Sequence, residues 1–429
     1  MNQRRKIIEL ALPAMAENLL QMLMGVVDNY LVAQIGLVAV SGVSVANNII
    51  TIYQAVFIAL GAAISSLIAK SRGEKDNQKV LRYQAEAIFA TLVLSLVLGL
   101  ISLLGGKSIL SFLGTEANVT QAGSFYLAIV GGLIVSLGLM TSFGAFLRAQ
   151  GKPRLPMYAS LLSNLLNAIL SALTVFIFHW GIAGVAGATV LSRFLGLLLM
   201  ASQLPIFSII RKMRPTVDTD LLKVALPAAG ERLMMRAGDV VIVAIIVKFG
   251  TEVVAGNAIG ETLTQFNYMP GMGVATATVI LVAHSLGQDN KQEIRQLVHD
   301  SYIISVILML LVGATVYILG GHLTGLFTTN TNAIKASMVV LLYSFTGGPA
   351  TAGTLIYTAA WQGLGNAKLP FYATTFGMWV IRIITGYLLG ITFSMGLAGV
   401  WIATILDNVF RWGFLYYRYQ LYQIKGVGI

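Results

Sequence analysis

The sequence predicts an all-α polytopic membrane protein in which twelve transmembrane helices form two parallel six-helix repeats, related by a pseudo-two-fold axis along the membrane normal. Three observations support this prediction. Of the 429 residues, 57% are hydrophobic and only 10% are charged, whereas soluble domains carry about 25% charged residues. The apolar residues form stretches long enough to cross a hydrocarbon core of about 30 Å. The second half of the chain also repeats the first.

Twelve apolar stretches of about 20 residues or more are the predicted helices. In the first half they are α1 (8–33), α2 (43–69), α3 (83–104), α4 (119–146), α5 (155–178) and α6 (183–210). In the second half they are α7 (221–247), α8 (257–284), α9 (297–319), α10 (333–360), α11 (370–393) and α12 (397–420). This composition excludes a soluble globular enzyme. The chain contains no cysteine, which excludes disulfides and thiolate metal sites.

The basic residues lie mainly in alternate loops. The formal net charge of +11 could indicate nucleic acid, but its distribution gives a simpler explanation. One set of loops carries most of the lysines and arginines, whereas the opposite set holds only Lys107, Lys248 and Lys335. Because positive charge marks the cytoplasmic side of a membrane protein, we expect both termini to be cytoplasmic. We therefore expect a multi-pass protein of the plasma (inner) membrane, in contact with the lipid bilayer and without a nucleic-acid partner.

The two halves of the chain are an internal duplication. The string ALPA occurs with Pro13 and again with Pro227, an offset of 227 − 13 = 214. Glu17 and Glu231 match at the same offset. Six crossings per half is an even number, so both halves enter and leave on the same side and the repeats must be parallel. The expected division is an N-lobe over 1–210, a cytoplasmic linker over 211–220 and a C-lobe over 221–429.

A duplicated membrane protein can be a channel, an enzyme or a transporter. Two similar halves that move around a shared midplane site are a common transporter design. The sequence has no complete Gly-x4-Gly-Lys-Ser/Thr phosphate loop, so an ion gradient is the remaining energy source. No nucleophile, base and orienting group occur at a useful spacing, so we do not expect an enzyme. No metal or cofactor is expected apart from a coupling ion, H⁺ or Na⁺.

The first candidate site is a polar face of α1. Glu17, Gln21, Met24 and Asp28 are spaced by 4, 3 and 4 residues, which places them on one helical face. An ionisable group within the hydrocarbon region is a functional candidate by default. Asp28 is the stronger candidate for ion coupling, with Glu17 as a second member; the alternative is a structural carboxylate satisfied by Asn and Thr groups. Pro13 removes one backbone hydrogen bond and could bend the helix, or it is an ordinary proline near a helix start.

A polar stripe follows one face of α5. The stripe consists of Ser160, Asn164, Asn167, Ser171 and Thr174, at steps of 4, 3, 4 and 3. In a membrane such a stripe must meet water, a ligand or another helix, and the alternative to a site is hydrogen bonding between helices.

The C-lobe carries a cluster of charged residues. Arg232, Arg236 and Asp239 share one face of α7 at steps of 4 and 3, so Arg236 can pair with Asp239, while Glu231 points elsewhere. On α8 the polar residues are Asn257, Glu261, Gln265 and Tyr268. Glu231 and Glu261 could meet a cation or the α7 arginines. A buried ion-pair network that fixes the C-lobe and a second ion or substrate site are both open interpretations.

Substrate contacts are expected from flexible, aromatic and polar side chains. Methionine suits a promiscuous pocket, and an aromatic ring can stack on an organic cation. The candidate cavity residues are Gln21, Met24, Tyr53, Asn164, Gln265 and Tyr268. The alternative is that such residues face lipid or belong to the core.

The chain resembles the multidrug and toxic compound extrusion (MATE) family over essentially its whole length, including the duplication. The strings that carry the resemblance are MGVVDNYLVAQIG in α1, LRAQGKPRLPMYASLLSNLLNAIL from Leu147, ALPAAGERLMMRAG in α7 and MPGMGVATATVILVAHSLG from Met269. The resemblance implies a twelve-helix secondary antiporter. It would act as a monomer and export organic cations or other small amphipathic compounds in exchange for inward-moving H⁺ or Na⁺.

The resemblance also implies site residues. Relatives with an N-lobe cation site use an Asp in helix 1, an Asn and an Asp four residues apart in helix 5, and a Thr in helix 6. By motif these positions are Asp28, Asn167, Ser171 and Thr189. Ser171 departs from the pattern and removes one hard oxygen ligand and one negative charge, which favours proton coupling through Asp28 over tight Na⁺ binding. Another branch places a cation-binding Glu in helix 7 and an Asp in helix 10, but α10 has no acidic residue here.

A flippase of lipid-linked precursors is the alternative function. Such a protein would be expected to have more helices and a cationic cavity. The acidic Glu17 and Asp28 argue against an anionic headgroup.

Overall fold

The computed structural model describes residues 3–425, and over this range the chain is almost entirely helical and contains no strand. In the first half the helices are α1 (Gln3–Ala33), α2 (Leu37–Gly73), α3 (Asn77–Phe112), α4 (Ala117–Val130 and Val135–Ala149), α5 (Arg154–Phe176) and α6 (Gly181–Ala201). In the second half they are α7 (Thr219–Val247), α8 (Thr251–Gly287), α9 (Lys291–Gly325), α10 (Thr331–Thr346 and Gly348–Gly363), α11 (Lys368–Thr392) and α12 (Gly396–Lys425). The predicted all-helical class is confirmed. The chain ends predicted to be cytoplasmic, 1–2 and 426–429, lie outside the described residues.

The length and composition of the helices fit a multi-pass membrane protein. Eight of the described helices are each long and apolar enough to cross a membrane, and the two bent helices α4 and α10 raise the number to ten. The remaining two, α7 and α12, are 29 and 30 residues long and carry several charged residues near their middle. These twelve helices form the two predicted six-helix repeats.

Polar caps extend two helices beyond their predicted starts. The Asp76 side chain accepts hydrogen bonds from the N–H groups of Gln78 and Lys79, both at 3.0 Å, and so begins α3. Asn290, which is 214 residues later, caps α9 in the same way through the N–H of Glu293 at 3.1 Å. The predicted starts at 83 and 297 are wrong by six residues, because the apolar stretch begins inside the helix and the capping residues are polar.

Two helices differ in detail from the prediction. The predicted α6 over 183–210 is wrong, since the helix ends at Ala201 and a separate short helix, Ile206–Arg211, follows Pro205. Proline lacks an N–H group and disfavours helical backbone in the residue before it, which explains the break. α11 is not a regular α-helix, because it contains two π-helical turns, Gly377–Arg382 and Leu388–Thr392.

The bends in α4 and α10 occupy equivalent places in the two repeats. α4 bends by 46° between its two segments, at the glycine pair Gly131 and Gly132. α10 bends by 56° at Gly347, next to Gly348 and Pro349. Glycine weakens a helix and proline removes one of its hydrogen bonds, so the same type of residue produces the same bend twice.

The tight turns also repeat. The α1–α2 turn contains Gly36 with φ 144°, and the α7–α8 turn contains Gly250 with φ 99°. Glycine adopts this backbone conformation without the steric cost of a Cβ. Four further pairs of residues with positive φ recur at an offset of 214 or 215: Lys75 and Asp289, Gly151 and Gly365, His179 and Ser394, and Gly181 and Gly396. The duplication therefore extends to backbone conformation.

The helices form two compact units, each described here by itself. The N-unit runs from Ala16 to Leu222, and the C-unit comprises the described residues up to Met15 together with those from Lys223 onward. This division differs from the predicted lobes at the start of α1. Arg4 pairs with Asp300 of α9 at 3.1 Å, and Lys6 pairs with Glu293 at 3.4 Å. These contacts place the beginning of α1 in the C-unit.

The segment predicted to be a linker is also tied to one unit. The N–H of Asp218 donates to Glu86 of α3 at 3.2 Å. Arg82 pairs with the Asp218 carboxylate at 3.0 Å. Asp218 and Glu86 correspond to Arg4 and Asp300 by the offset of 214, so the first helix of each repeat begins against the third helix of the other.

Small residues allow close helix packing in both units. In the N-unit, a Cβ on Gly42 of α2 would lie 2.7 Å from the backbone nitrogen of Gly123 in α4. In the C-unit, a Cβ on the equivalent Gly256 of α8 would overlap with the carbonyl oxygen of Ala333 in α10. Approach of two backbones is a common way to associate membrane helices. This packing fixes the helices that carry the polar clusters.

Candidate functional site

The N-unit contains a polar cluster around Asp28. The side-chain amide of Asn167 in α5 donates to both carboxylate oxygens of Asp28 in α1, at 3.1 and 3.2 Å. The amide oxygen of Asn167 accepts from the hydroxyls of Ser171 at 3.1 Å and Thr189 at 3.4 Å. These two hydroxyls orient the amide so that its N–H groups face the carboxylate. Asp28 is half-buried, whereas Asn167, Ser171 and Thr189 are buried.

Two further side chains belong to this cluster. The buried hydroxyl of Tyr126 in α4 lies near Thr189 and near Asn47 of α2. The guanidinium of Arg193, one helical turn after Thr189 in α6, interacts electrostatically with both Asp28 and Tyr126. Four of the predicted coupling residues therefore meet in one place. We name this set, Asp28, Asn47, Tyr126, Asn167, Ser171, Thr189 and Arg193, the Asp28 cluster.

Protonation of Asp28 would change this arrangement. A carboxylate accepts hydrogen bonds at both oxygens, whereas a carboxylic acid presents a donor at one of them. The Asn167 amide group donates to both oxygens, so adding a proton removes the negative charge that strengthens these two hydrogen bonds and places a competing donor at one oxygen. The contact between α1 and α5 is therefore sensitive to the charge on Asp28.

Glu17 lies in a different contact from Asp28. Its carboxylate accepts from Arg148 of α4 at 2.8 Å, and both side chains are partly buried. The two acidic groups are eleven residues apart, or about 16 Å along a helix. The structure thus does not bring Glu17 to the Asp28 cluster, although it was predicted to share the coupling role.

The predicted cavity residues lie in varied surroundings. Met24 is buried, and Tyr53 packs in the core of the N-unit, where its hydroxyl accepts from Ser102 at 3.2 Å. Asn164 is partly buried, and its amide nitrogen has no hydrogen-bond partner among the described residues. The exposed members are Gln21 and Gln265, and Tyr268 is partly buried. α1 stays helical through the buried Pro13.

The C-unit contains a buried acid, Glu231 of α7. Its carboxylate accepts from the hydroxyl of Thr374 in α11 at 3.1 Å and from the amide of Gln362 in α10 at 3.5 Å. Only 7% of the residue is exposed. Arg232 and Arg411 interact with it electrostatically. The hydrogen-bond partners of Glu231 therefore come from α10 and α11, while Arg232 of its own helix acts on it electrostatically.

The predicted pair of Arg236 with Asp239 is wrong. Asp239 instead pairs with Arg382 of α11 at 3.4 Å, and Arg382 also donates to the hydroxyl of Thr404 in α12 at 3.0 Å. Helical spacing places Arg236 within reach of Asp239, but the guanidinium of Arg382 on α11 pairs with Asp239 in its place. Arg236 is left on an exposed face of α7.

An ion pair on α12 lies deeper in the C-unit. Arg411 donates to Asp407, four residues earlier, at 2.9 Å. Asp407 is fully buried and Arg411 is 4% exposed. A Cβ on Gly377, in the first π-helical turn of α11, would overlap with the Asp407 carboxylate. Glycine at this position thus lets the α11 backbone approach the ion pair.

Glu261 of α8 belongs to a third contact. It lies near Asn257, one turn earlier on the same helix. The oxygen of Asn257 accepts from the indole N–H of Trp401 in α12 at 3.0 Å. Glu231 and Glu261 were expected to face a common cation, but the structure gives each a separate set of partners. Tyr268 lies near Arg232, Arg236 and Glu231.

Several residues of these clusters were not assigned to a particular site from the sequence. Arg193, Arg382, Asp407 and Arg411 are ionisable residues within apolar stretches, a signal that marks functional candidates. Helical spacing indicates the pair of Asp407 with Arg411, four residues later. No spacing on their own helices showed which carboxylate Arg193 and Arg382 would meet. Tyr126 gave no sequence signal of its own.

A comparison with protein families matches most of this chain. The family model described as MatE matches residues 13–173 and 227–388. The two matched segments begin 227 − 13 = 214 residues apart, which is the offset of the internal duplication. Each match covers most of one six-helix repeat.

Individual proteins match over nearly the full length. A Thermotoga maritima protein described as "Probable multidrug resistance protein NorM" is 28% identical over 95% of this chain and 90% of its own. "Multidrug export protein MepA" of Staphylococcus aureus strain MSSA476 is 22% identical over 94% of this chain and 91% of its own.

Solved structures share the fold. A crystal structure of "MATE in the straight conformation" has a TM-score of 0.91 at 22% identity, covering 100% of this chain and 98% of that one. An "outward-facing conformation of a multidrug resistance MATE family transporter" gives the same TM-score, identity and coverage.

Proposed function

The chain belongs to the MATE family of transporters, and from that premise we propose that it exports amphipathic organic compounds, organic cations among them, in exchange for H⁺. It is a multi-pass membrane transporter and not an enzyme. We place it in the plasma membrane with both termini cytoplasmic, acting as a monomer by alternating access. The named relatives are multidrug proteins, which supports drug-like substrates here and does not favour a flippase of lipid-linked precursors.

One observation carries the proposal of ion coupling. Asp28 is a carboxylate within a transmembrane helix, and both of its oxygens accept from a single amide on another helix. An intramembrane ionisable group is costly and is retained for transport or for structure. In this cluster, protonation would weaken the hydrogen bonds between α1 and α5, so proton binding can alter the packing of the helices.

The ligands of the cluster favour H⁺ over Na⁺. A hard cation prefers several oxygen ligands, with carboxylates supplying the charge. Among the described residues of the Asp28 cluster, Asp28 is the single carboxylate. The hydroxyls of Ser171 and Thr189 donate to the amide oxygen of Asn167. A proton needs only the Asp28 carboxylate itself.

The test is transport of a fluorescent organic cation in proteoliposomes, with a pH gradient and a Na⁺ gradient imposed separately. We expect the wild-type protein to respond to the pH gradient alone. Asp28→Asn keeps the size of the side chain but removes its charge and its ability to bind and release a proton. Loss of a positioned acid or base typically lowers an enzyme's rate by more than about a hundredfold. We therefore expect gradient-driven transport to fall at least about tenfold. The variant should still elute as a folded protein.

Asp289→Asn is the matched control. Asp289 is exposed and has a positive φ of 53°, a conformation that Asn also tolerates. Its transport should equal that of wild type. Wild-type transport in Asp28→Asn would overturn the role of Asp28, and a requirement for Na⁺ would overturn H⁺ coupling. No transport with either gradient would favour lipid-linked substrates.

A further inference from the structure

Arg193 is a charged residue in the middle of α6. α6 runs from Gly181 to Ala201, so this guanidinium lies far from both helix ends. Its Nη1 atom is buried and has no hydrogen-bond partner among the described residues. Arginine stays protonated in proteins, and a buried charge without a counter-charge is strongly unfavourable. A nearby group must therefore compensate it.

The compensating group lies in the Asp28 cluster. Arg193 follows Thr189 by one helical turn, and Thr189 contacts Asn167, the amide that holds Asp28. The two titratable groups with which Arg193 interacts are Asp28 and Tyr126. Tyrosine is ordinarily neutral at physiological pH, so Asp28 is the source of negative charge.

We propose that Arg193 is a tethered cation that neutralises Asp28 in place of a bound metal cation, and that it thereby makes the cluster selective for H⁺ over Na⁺. The proposal rests on the proposed function for its role in transport, but the charge interaction itself does not depend on transport. Arg193 acts through Asp28 and is a positioning residue in this scheme.

Electrostatics explains the selectivity. A Na⁺ ion beside Asp28 would add a second positive charge close to the guanidinium, and like charges in a poorly screened site repel strongly. A proton that binds Asp28 instead forms a neutral acid and adds no ion to the cluster. Protonation also leaves Arg193 without its counter-charge, so proton binding disturbs α6 as well as the contact between α1 and α5.

The first experiment is a double-mutant cycle on thermal stability in detergent. The four proteins are wild type, Asp28→Asn, Arg193→Gln and the double variant Asp28→Asn/Arg193→Gln. If the two charges compensate each other, each single substitution leaves one charge uncompensated, and the double variant should be more stable than the sum of the single effects predicts. Additive changes in Tm would overturn the pairing. If Arg193→Gln alone does not fold, recovery of a folded double variant supports the pairing, and an unfolded double variant overturns it.

The second experiment measures Na⁺ binding without transport. Thermal unfolding is compared in NaCl and in choline chloride at equal ionic strength, because a ligand that binds the folded state raises Tm. Wild type and the charge-conserving Arg193→Lys should show no Na⁺-specific shift. Arg193→Gln should acquire one, with a Na⁺ affinity on the order of tenfold higher than that of wild type, and Asp28→Asn/Arg193→Gln should lose it again.

Two outcomes of the second experiment would overturn the proposal. One is a Na⁺-specific shift in wild type that Asp28→Asn abolishes. The other is a folded Arg193→Gln protein without such a shift. Neither readout uses an organic substrate, so a protein that fails to transport drugs but shows the Na⁺ response would overturn the proposed function and leave the role of Arg193 intact.

Discussion

Glu17 and Glu231 occupy the same position in the two repeats but have different partners. Glu17 pairs with Arg148 at 2.8 Å. The residue equivalent to Arg148 is Gln362, and it donates to Glu231 at 3.5 Å. The duplicated backbone thus holds the acid and its partner in the same places, while the change from Arg to Gln replaces an ion pair with a hydrogen bond from a neutral amide.

The difference shows how each unit balances its buried charge. In the N-unit, Glu17 meets its counter-charge directly, on a neighbouring helix. In the C-unit, the hydroxyl of Thr374 completes the hydrogen bonding of Glu231, and Arg411 lies nearby but is held by Asp407. The charge of Glu17 in the N-unit is therefore balanced by one arginine, whereas that of Glu231 in the C-unit is balanced by a network that includes Arg411 and Asp407.

The Asp28 cluster has no counterpart among the described residues of the C-unit. The residue equivalent to Asp28 is Ile242, which is buried in an apolar cluster of the C-unit. Thr189 corresponds at an offset of 215 to Thr404, but the hydroxyl of Thr404 accepts from Arg382. The same scaffold thus carries a candidate ion site around Asp28 in one repeat and a set of ion pairs in the other. Three substitutions test this contrast.

The largest effect is expected in the C-unit network. Arg411→Met leaves Asp407 buried without its counter-charge, and breaking a buried ion pair costs about 3–5 kcal/mol. We expect a marked fall in Tm and a lower yield of folded protein in detergent. The double variant Asp407→Leu/Arg411→Met removes both charges and should recover most of the stability. If Arg411→Met unfolds at the wild-type temperature, the network does not stabilise the C-unit.

An intermediate effect is expected when Arg148, the partner of Glu17, is replaced by glutamine, the residue that stands opposite Glu231 in the C-unit. Arg148→Gln leaves the partly buried Glu17 with a neutral partner, and we expect a loss of about 1–3 kcal/mol, between the values for exposed and buried pairs. Glu17→Gln/Arg148→Gln should restore part of the stability, as measured by thermal unfolding. Equal stability of the two variants would show that the charge on Glu17 is already well solvated without Arg148.

The smallest effect is expected at Ser171. Ser171→Ala removes one hydrogen bond to Asn167 and should cost about 0.5–1.5 kcal/mol. Thr189 still holds the Asn167 amide, so H⁺-driven transport should stay within about threefold of wild type, a change below 1 kcal/mol. The proteoliposome assay measures this. Complete loss of transport would mean that Ser171 contributes to the site directly and not only through Asn167.

Much of the fold could be predicted from the sequence because it depends on patterns local to the chain. Apolar stretches identified the twelve helices, and the repeat at 214 residues identified the duplication. The helix starts at Asn77 and Lys291 were placed too late because their capping turns are polar. The π-helical turns of α11 depend on packing against α12 and have no periodic signal.

The candidate site was predictable only in part. Helical spacing and motif placed Asp28, Asn167 and Thr189 on the correct faces, and the structure brings them together. Helical spacing did not predict the ion-pair partner of Asp239, which is Arg382 of another helix. It also indicated no partner for Arg193. Helical spacing relates residues of one helix only. A buried charge is stabilised most by the opposite charge that lies closest to it in the folded protein, whichever helix carries that charge.

The sequence by itself determined the helical membrane class, the parallel repeats and the identity of the charged groups that must be compensated. Hydrocarbon thickness and chain periodicity impose these features without reference to tertiary contacts. Only the tertiary structure decided that Glu17 pairs with Arg148, that Asp239 pairs with Arg382 and that Arg193 interacts electrostatically with Asp28. Those choices depend on which helix faces meet, and helix packing is a property of the whole bundle.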